Sequence, residues 1–355
     1  MPPSPTRSAG GRRRTIVLSA AVVGFAAIVA LVLWADREEL AKTLQSVEPA
    51  TLLVPLLLGL LSYGAMSRSY QGIATAAGVE LPFPAWLRIT FVSNTINYIV
   101  VSGGLSGFAV RMYLLARHGV ATGRAVVISF VQTFLTNFTL LVFILAGLVS
   151  LAFRDEVPRS EFVVGIAAAS VFTVVLGYAF VLVVNRRARR LTLFFLTHRG
   201  HQLLNRIAPR WTPRRQRLLR FRRNLNQGFD FLLERRRRMV APVVWIIIDW
   251  ILTLAILWSA FRALNNPVSP TVVLIGFGVA VITTLVSFFM PAGIGIMEGS
   301  MTLVFARLGV PPQVAFLVAL IFRLSYHVTP LLVSALMFRG LLRQALRGLD
   351  EPPRG

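Results

Sequence analysis

Glu298 stands three residues after Pro291-Ala292-Gly293-Ile294-Gly295, inside an otherwise apolar stretch. Proline and glycine end one helix and let another begin, so this spacing puts the carboxylate in the first turn of a new helix. Free N–H groups and the positive end of the helix dipole stabilise an anion there. Arg323 lies deep in the last apolar run and is followed by Tyr326, His327 and Pro330. Arg111 comes just after a second break, Ser102-Gly103-Gly104-Leu105-Ser106-Gly107, and Asp249 sits between Ile248 and Trp250. Charge in hydrocarbon is expensive, so each of these residues needs a reason to be there.

Two chemistries suit this set. A guanidinium can clamp a phosphate through two parallel hydrogen bonds. A buried carboxylate can neutralise an arginine, cap a helix or carry a proton. Glu298 is therefore either a ligand of a polar substrate or half of an ion pair with Arg323. Arg111 is either a phosphate clamp or a cytoplasmic anchor. Asp249 is either a proton carrier or a hydrogen-bond partner of a neighbouring helix. His327 reads as a packing residue or a member of the same proton or ion-pair set. Asn94, Asn97 and Tyr98 precede the first break and line it or satisfy its freed backbone groups.

Other chemistry is missing from the sequence. Lys42 has no preceding glycines, so there is no phosphate-binding loop of the ATPase kind. His118, His198, His201 and His327 form no metal-ligand pattern, and there is no cysteine to act as nucleophile or thiolate ligand. Gly104-Leu105-Ser106-Gly107 has the wrong spacing for a nucleophile elbow. No cofactor motif is visible, and the expectation is a protein without metal or cofactor.

The elements that position these residues are membrane helices. Of the 355 residues, 55% are hydrophobic and 14% charged, and the mean hydropathy is +0.70. Continuous apolar runs approach or exceed the roughly 20 residues a span requires. They cover Thr15–Trp34, Ala50–Met66, Trp86–Val101, Ala125–Phe153, Phe162–Val184, Met239–Phe261, Thr271–Pro291 and Val314–Phe338. Continuity argues against a transmembrane β-barrel, which alternates. Thr15–Trp34 is too long for a signal-peptide core and reads as an uncleaved first span. Ala35–Pro49 reads as an interfacial segment.

The net charge of +23 marks topology and does not point to nucleic acid. Arginines gather before the first span, around Arg68 to Arg124, between Arg186 and Arg238 (seventeen of them), and after Phe338. Positive loops stay inside, so both termini are expected in the cytoplasm of an inner-membrane protein. Both flanks of Trp86–Val110 then look cytoplasmic. A re-entrant hairpin turning at the Ser102–Gly107 break resolves this, and Thr271–Leu308 turns likewise at Pro291–Gly295.

Ala50 to Ser102 is 52 residues, as is Met239 to Pro291, and Ala125 to Val314 keeps the offset of 189 between Ala50 and Met239. The expected fold is therefore an all-α polytopic membrane protein. It has about six full spans plus two broken, re-entrant helical hairpins in inverted repeats. Its parts are residues 1–49, a first repeat 50–153, a connecting span 154–185, a basic loop 186–238, a second repeat 239–338 and a cytoplasmic tail 339–355. The loop carries Phe194, Phe195, Leu203, Leu204, Ile207, Leu218, Leu219, Phe221, Phe229 and Leu232 at helical spacing. That pattern predicts basic amphipathic helices on an anionic inner leaflet, or a linker that only marks topology.

With these residues in view, the chain resembles the flippase-like family that includes the transmembrane region of lysylphosphatidylglycerol synthases. In the first half the likeness lies in Asn97, Ser102-Gly103-Gly104-Leu105-Ser106-Gly107, Arg111, Leu114-Leu115 and Gly119. In the second half it lies in Pro291-Ala292-Gly293-Ile294-Gly295, Glu298, Gly309-Val310 and Arg323. It runs from about Ala50 to Phe338. Ser102 or Gly103 stands where the family's first break usually has proline, and Ala292 replaces the first glycine of its second. The resemblance implies a stand-alone membrane module without the aminoacyl-transfer domain, hence more a transporter than an enzyme. The implied function is translocation of an anionic phospholipid or polyprenyl-linked lipid, with Arg111, Glu298, Arg323, Asn97 and Tyr326 at the headgroup. A membrane-embedded lipid transferase and a non-catalytic scaffold are the alternatives. Membrane lipids with anionic headgroups are the expected partners; the sequence names no protein partner.

Overall fold

The structure, a computed structural model, describes residues 48–99, 105–152, 159–207, 215–286 and 295–337. The expected first span, most of Ala35–Pro49, residues 339–355, and the break residues Ser102, Gly103, Gly104, Pro291 and Gly293 lie outside the described residues. Among the described residues all regular structure is helical. In order these helices are α1 (Leu53–Ala76), α2 (Phe83–Ile99), α3 (Leu105–Arg117), α4 (Thr122–Ala152), α5 (Arg159–Val184), α6 (Arg186–Ile207) and α7 (Arg215–Glu234). They continue with α8 (Val240–Ala263), α9 (Pro270–Val286), α10 (Ile296–Arg307) and α11 (Pro312–Arg323). The last helix passes through a π-turn, Leu324–Val328, and continues to Met337.

Among the described residues four helices are long and apolar enough to cross a membrane: α1, α4, α8 and the last helix taken from Pro312 to Met337, with α1 and α8 each extended by a preceding 3-10 turn. A fifth crossing is counted when α5 and α6, bent by 107°, are taken as one broken span. About six full spans are expected; the described residues hold these four, or five with the bent pair. The first expected span is outside the described residues, and α5 passes only as half of a bent pair. Helices α2 and α9 are described over 17 residues each. Each packs against the helix after its break, α2 on α3 and α9 on α10.

Helix α1 runs ten residues past Met66, where the apolar run stops. The extra turns carry polar side chains whose partners are protein. Ser67 Oγ donates to Tyr63 O at 2.7 Å, and Ser69 Oγ donates to Gln132 Oε1 of α4 at 2.9 Å. Hydropathy falls there because the helix faces protein, not because the helix ends. The opposite case is α5. Val171, Val174, Val175 and Tyr178 follow helical spacing and are all exposed, as a lipid-facing stripe would be.

Two main cores form, and the second also takes in Leu140 and Ile144 of α4. Ile73, Trp86, Leu115 and Ile128 are buried together in the first. Ile256, Phe261, Phe305, Val318 and Phe322 are buried together in the second. Helices α1 and α8 pack along each other and join the halves. The turns of the two halves also match. After α1, Ala77, Gly78 and Val79 donate their N–H groups to Ile73, Thr75 and Ala74. After α8, Leu264, Asn265 and Asn266 donate to Ala260, Arg262 and Phe261, each 187 residues further on. His118, Gly119 and Val120 after α3 are matched by Leu308, Gly309 and Val310 after α10, 190 further on. Gly78, Asn265, Gly119 and Gly309 all take the left-handed conformation that closes a helix this way. The offset is thus 187 before the break and 190 after it, in place of a uniform 189.

The basic segment folds differently from the leaflet-bound helices expected. Leu225, Phe229 and Leu232 of α7 are buried against the first-half core, beside Val127 and Ile128 of α4. Each contributes about 2 kcal/mol on an area basis, so this apolar face is spent on protein. Arg189 pins α6 to α7: its Nη2 donates to Asp230 Oδ1 at 2.5 Å and its Nη1 to Val183 O at 2.8 Å. On α6, by contrast, Leu191, Phe194 and Phe195 remain exposed. That helix keeps a face for the membrane boundary.

Gly59 of α1 meets the π-turn of the last helix so closely that a Cβ would sit 2.2 Å from Ser325 O, whereas a Cβ at Gly64 would meet nothing within 4 Å. Gly59→Ala is expected to cost about 1–3 kcal/mol through overpacking, read as a lower thermal midpoint of the purified protein in detergent. Gly64→Ala should leave the midpoint unchanged or raise it.

Candidate functional site

Gly295 opens α10 with φ of 83°, a conformation that favours glycine. Its N–H donates to Glu298 Oε2 at 2.8 Å, the half of a capping box open to a glycine N-cap, with the carboxylate reaching back over the first turn. Thr302 Oγ1 donates to Glu298 O at 2.7 Å. Glu298 is only 1% exposed. Its Oε1 forms an ion pair with Arg323 Nε. The structure therefore gives Glu298 two structural roles at once, helix cap and ion-pair partner of Arg323. Break glycine Gly295 acts as the N-cap, and Gly107 acts as a contact: a Cβ there would lie 2.7 Å from Asn97 Cβ and from Ser93 O. Only glycine lets α3 approach α2 this closely.

Arg323 is the last residue before the π-turn. The wider turn adds a residue to the helical circuit and rotates the later side chains around the axis. Tyr326 and His327 thereby face residues of the first half. The ring centroids of His327 and Tyr98 are 4.5 Å apart, and those of Tyr326 and Tyr63 are 5.9 Å apart. Phe322 stacks on Tyr326 at 5.5 Å. Asn97 Oδ1 and His327 Nδ1 are buried without a hydrogen-bond partner among the described residues. Arg323, Glu298, Tyr326 and His327 of the second half and Tyr98 of the first thus gather into one polar cluster.

Arg111 is a different kind of site. It is 6% exposed, which does not fit a solvated cytoplasmic anchor. Its guanidinium lies 4.3 Å over the Tyr70 ring, and Tyr70 is stacked on Trp86. Nη2 reaches Ser93 Oγ and Asn94 Oδ1, both at 3.4 Å, and Nε has no partner among the described residues. No carboxylate pairs with Arg111 among those residues. An aromatic face and two long hydrogen bonds are modest compensation for a buried guanidinium. Ser93 and Asn94 precede Asn97 and Tyr98 by one helical turn, so α2 touches both the Arg111 site and the Arg323 cluster.

Asp249, 2% exposed, accepts a hydrogen bond from Ser62 Oγ at 2.5 Å across the α1–α8 contact. It pairs with neither arginine. Sequence reading missed Ser62, Tyr63, Tyr70 and Ser93. These residues lie in helices as ordinary members of apolar or small-residue runs, and only their partners, distant in sequence, distinguish them.

Removing one member of a buried pair strands the other. Arg323→Ala and Glu298→Gln are each expected to cost about 3–5 kcal/mol. The double variant should cost clearly less than the two losses added, as thermal unfolding of all four proteins in detergent would record.

Comparison with known proteins fits this architecture. The family model described as the lysylphosphatidylglycerol synthase TM region matches residues 16–334. No curated protein gives a significant match. With the match extending over nearly all of the described helices and over both charged sites, the chain belongs to the family of lysylphosphatidylglycerol synthase transmembrane regions.

Proposed function

We propose that this integral membrane protein translocates an anionic phospholipid or a polyprenyl-linked lipid between the leaflets of the inner membrane. Both termini lie in the cytoplasm, and the hairpins α2–α3 and α9–α10 enter from opposite faces as parts of inverted repeats. Matching turn hydrogen bonds support the repeat. So does the packing of α1 on α8. Ser62 touches Asp249, and a Cβ at Gly72, late in α1, would meet Pro242, early in α8. The two helices therefore run antiparallel, as equivalent helices of an inverted pair must.

The observation that carries the reading is Arg111, a buried guanidinium paired with no carboxylate among the described residues. A charged side chain at mid-membrane costs about 3 kcal/mol even on the mildest scale. A lipid phosphate would satisfy its free donor and supply the missing charge. Arg323, Tyr326, His327 and Asn97 continue the polar path from there. Glu298 holds Arg323 in place, so its role is to position that guanidinium. Glycerol or sugar hydroxyls of a headgroup suit the tyrosine and asparagine groups; acyl or prenyl chains stay in the bilayer.

Liposomes holding the purified protein and a fluorescent anionic phospholipid test this, with a membrane-impermeant quencher reading the leaflets. Wild type should exchange the anionic lipid faster than a zwitterionic analogue. Arg111→Ala and Arg323→Ala should each slow exchange about tenfold, equivalent to some 1.4 kcal/mol of transition-state contact. Exposed Arg117→Ala should exchange like wild type. Equal rates for all four proteins would refute the site.

A further inference from the structure

We infer that Asp249 is the proton-binding residue that couples lipid movement to a proton gradient. The inference rests on the translocation reading above and assigns its driving force. Three observations support it.

The first is chemical. Asp249 lies in the middle of α8, a helix long and apolar enough to span a membrane, and is 2% exposed. Its hydrogen-bond partner is the uncharged Ser62, and no cation pairs with it among the described residues. A carboxylate in such a place must be neutralised by a cation or by a proton. Glu298 illustrates the first solution, with Arg323 and a helix N-terminus. Asp249 has neither, which leaves the proton.

The second is positional. Ser62 and Asp249 are 187 residues apart, the offset that relates the turns after α1 and α8. They are therefore counterparts in the two halves, and they touch. A residue in contact with its own counterpart lies on the axis that relates the halves. For inverted repeats that axis lies in the membrane plane, equally far from both faces. A group placed there meets either side when one half rocks against the other, as a coupling residue must.

The third is the surroundings. The titratable and charged groups on elements packed against α8 are Tyr63, Tyr70 and the exposed Arg68 of α1, Arg124 at the start of α4, and Arg323, Tyr326 and His327 of the last helix; the turn before α8 carries Arg236, Arg237 and Arg238. Helix α9 contributes none. Tyr63, Tyr326 and Tyr98 of α2 lie within electrostatic reach of Asp249. These phenols can relay a proton between Asp249 and the seam that holds the headgroup. The step balances simply: one O–H bond forms on Asp249 from the acidic side, and the same proton leaves to the other side.

The test uses liposomes with the full chain and a fluorescent anionic phospholipid, with and without an imposed pH gradient. Wild type should exchange lipid without a gradient and change its initial rate at least threefold when one is applied. Asp249→Asn should keep the exchange and lose the response. A wild type indifferent to the gradient, or an Asp249→Asn protein responding like wild type, would overturn the coupling while leaving translocation intact. Absence of exchange in every condition would refute translocation itself. If Asp249→Asn does not fold, infrared difference spectra of wild type and Ser62→Ala decide the matter. A protonated-carboxyl band at neutral pH that shifts in Ser62→Ala supports the inference, and no such band overturns it.

Discussion

A charge carried into an apolar core has few ways to persist, and the arrangement of this protein reflects the ways it uses. Glu298 and Arg323 neutralise each other, with the N-terminus of α10 holding the carboxylate from behind. That pair connects two helices across a short, glycine-capped start and a π-turn, so both irregularities serve the same contact. Neither would be tolerated in lipid-facing helix, where every backbone group must be satisfied internally. Arg111 uses the face of Tyr70 and two long hydrogen bonds instead, and Asp249 uses Ser62. The degree of compensation falls from the ion pair to Asp249 and Arg111. On the translocation reading proposed above, the least compensated groups are the ones left to bind headgroup and proton.

The helices supply the frame for this. Small residues allow close approach where polar groups must meet: Gly107 against Asn97 and Ser93, Gly59 against Ser325. In a membrane, helix association depends on such packing and on hydrogen bonds, because lipid tails are as apolar as leucine. Outside, α7 works on different physics. Its Leu225, Phe229 and Leu232 are buried against the first half as in a soluble protein, while Arg220 and Arg223 are exposed. The basic segment is thus a docked part of the fold, and α6 retains the membrane-directed apolar face.

Much of this is legible in the sequence, and the legible part has a common cause. Apolar continuity locates α4, α5, α8 and the last helix to within a few residues, since hydrocarbon imposes that continuity directly. Pro291 to Gly295 announces the start of α10 with Glu298 in its first turn, while the pairing with Arg323 is one of the alternatives the sequence leaves open. What escapes is decided by partners far along the chain. The apolar run stops ten residues before α1 does, because Ser69 looks polar until Gln132 is beside it. Ser62 gives no signal of its own, because only its contact with Asp249, 187 residues away, gives it meaning. The docking of α7 is hidden because an amphipathic face looks the same whether it covers lipid or protein.

The claim on which the rest depends is that water and polar headgroups reach the seam between the halves. The chain has no cysteine, so single cysteines report without background. Asn97→Cys in the seam and Val174→Cys on the exposed face of α5 can be exposed in liposomes to a small, charged, membrane-impermeant thiol reagent. The account predicts labelling at position 97, slowed by added anionic lipid, and none at position 174. Equal inertness at both positions would mean that the seam is dry, and would contradict it.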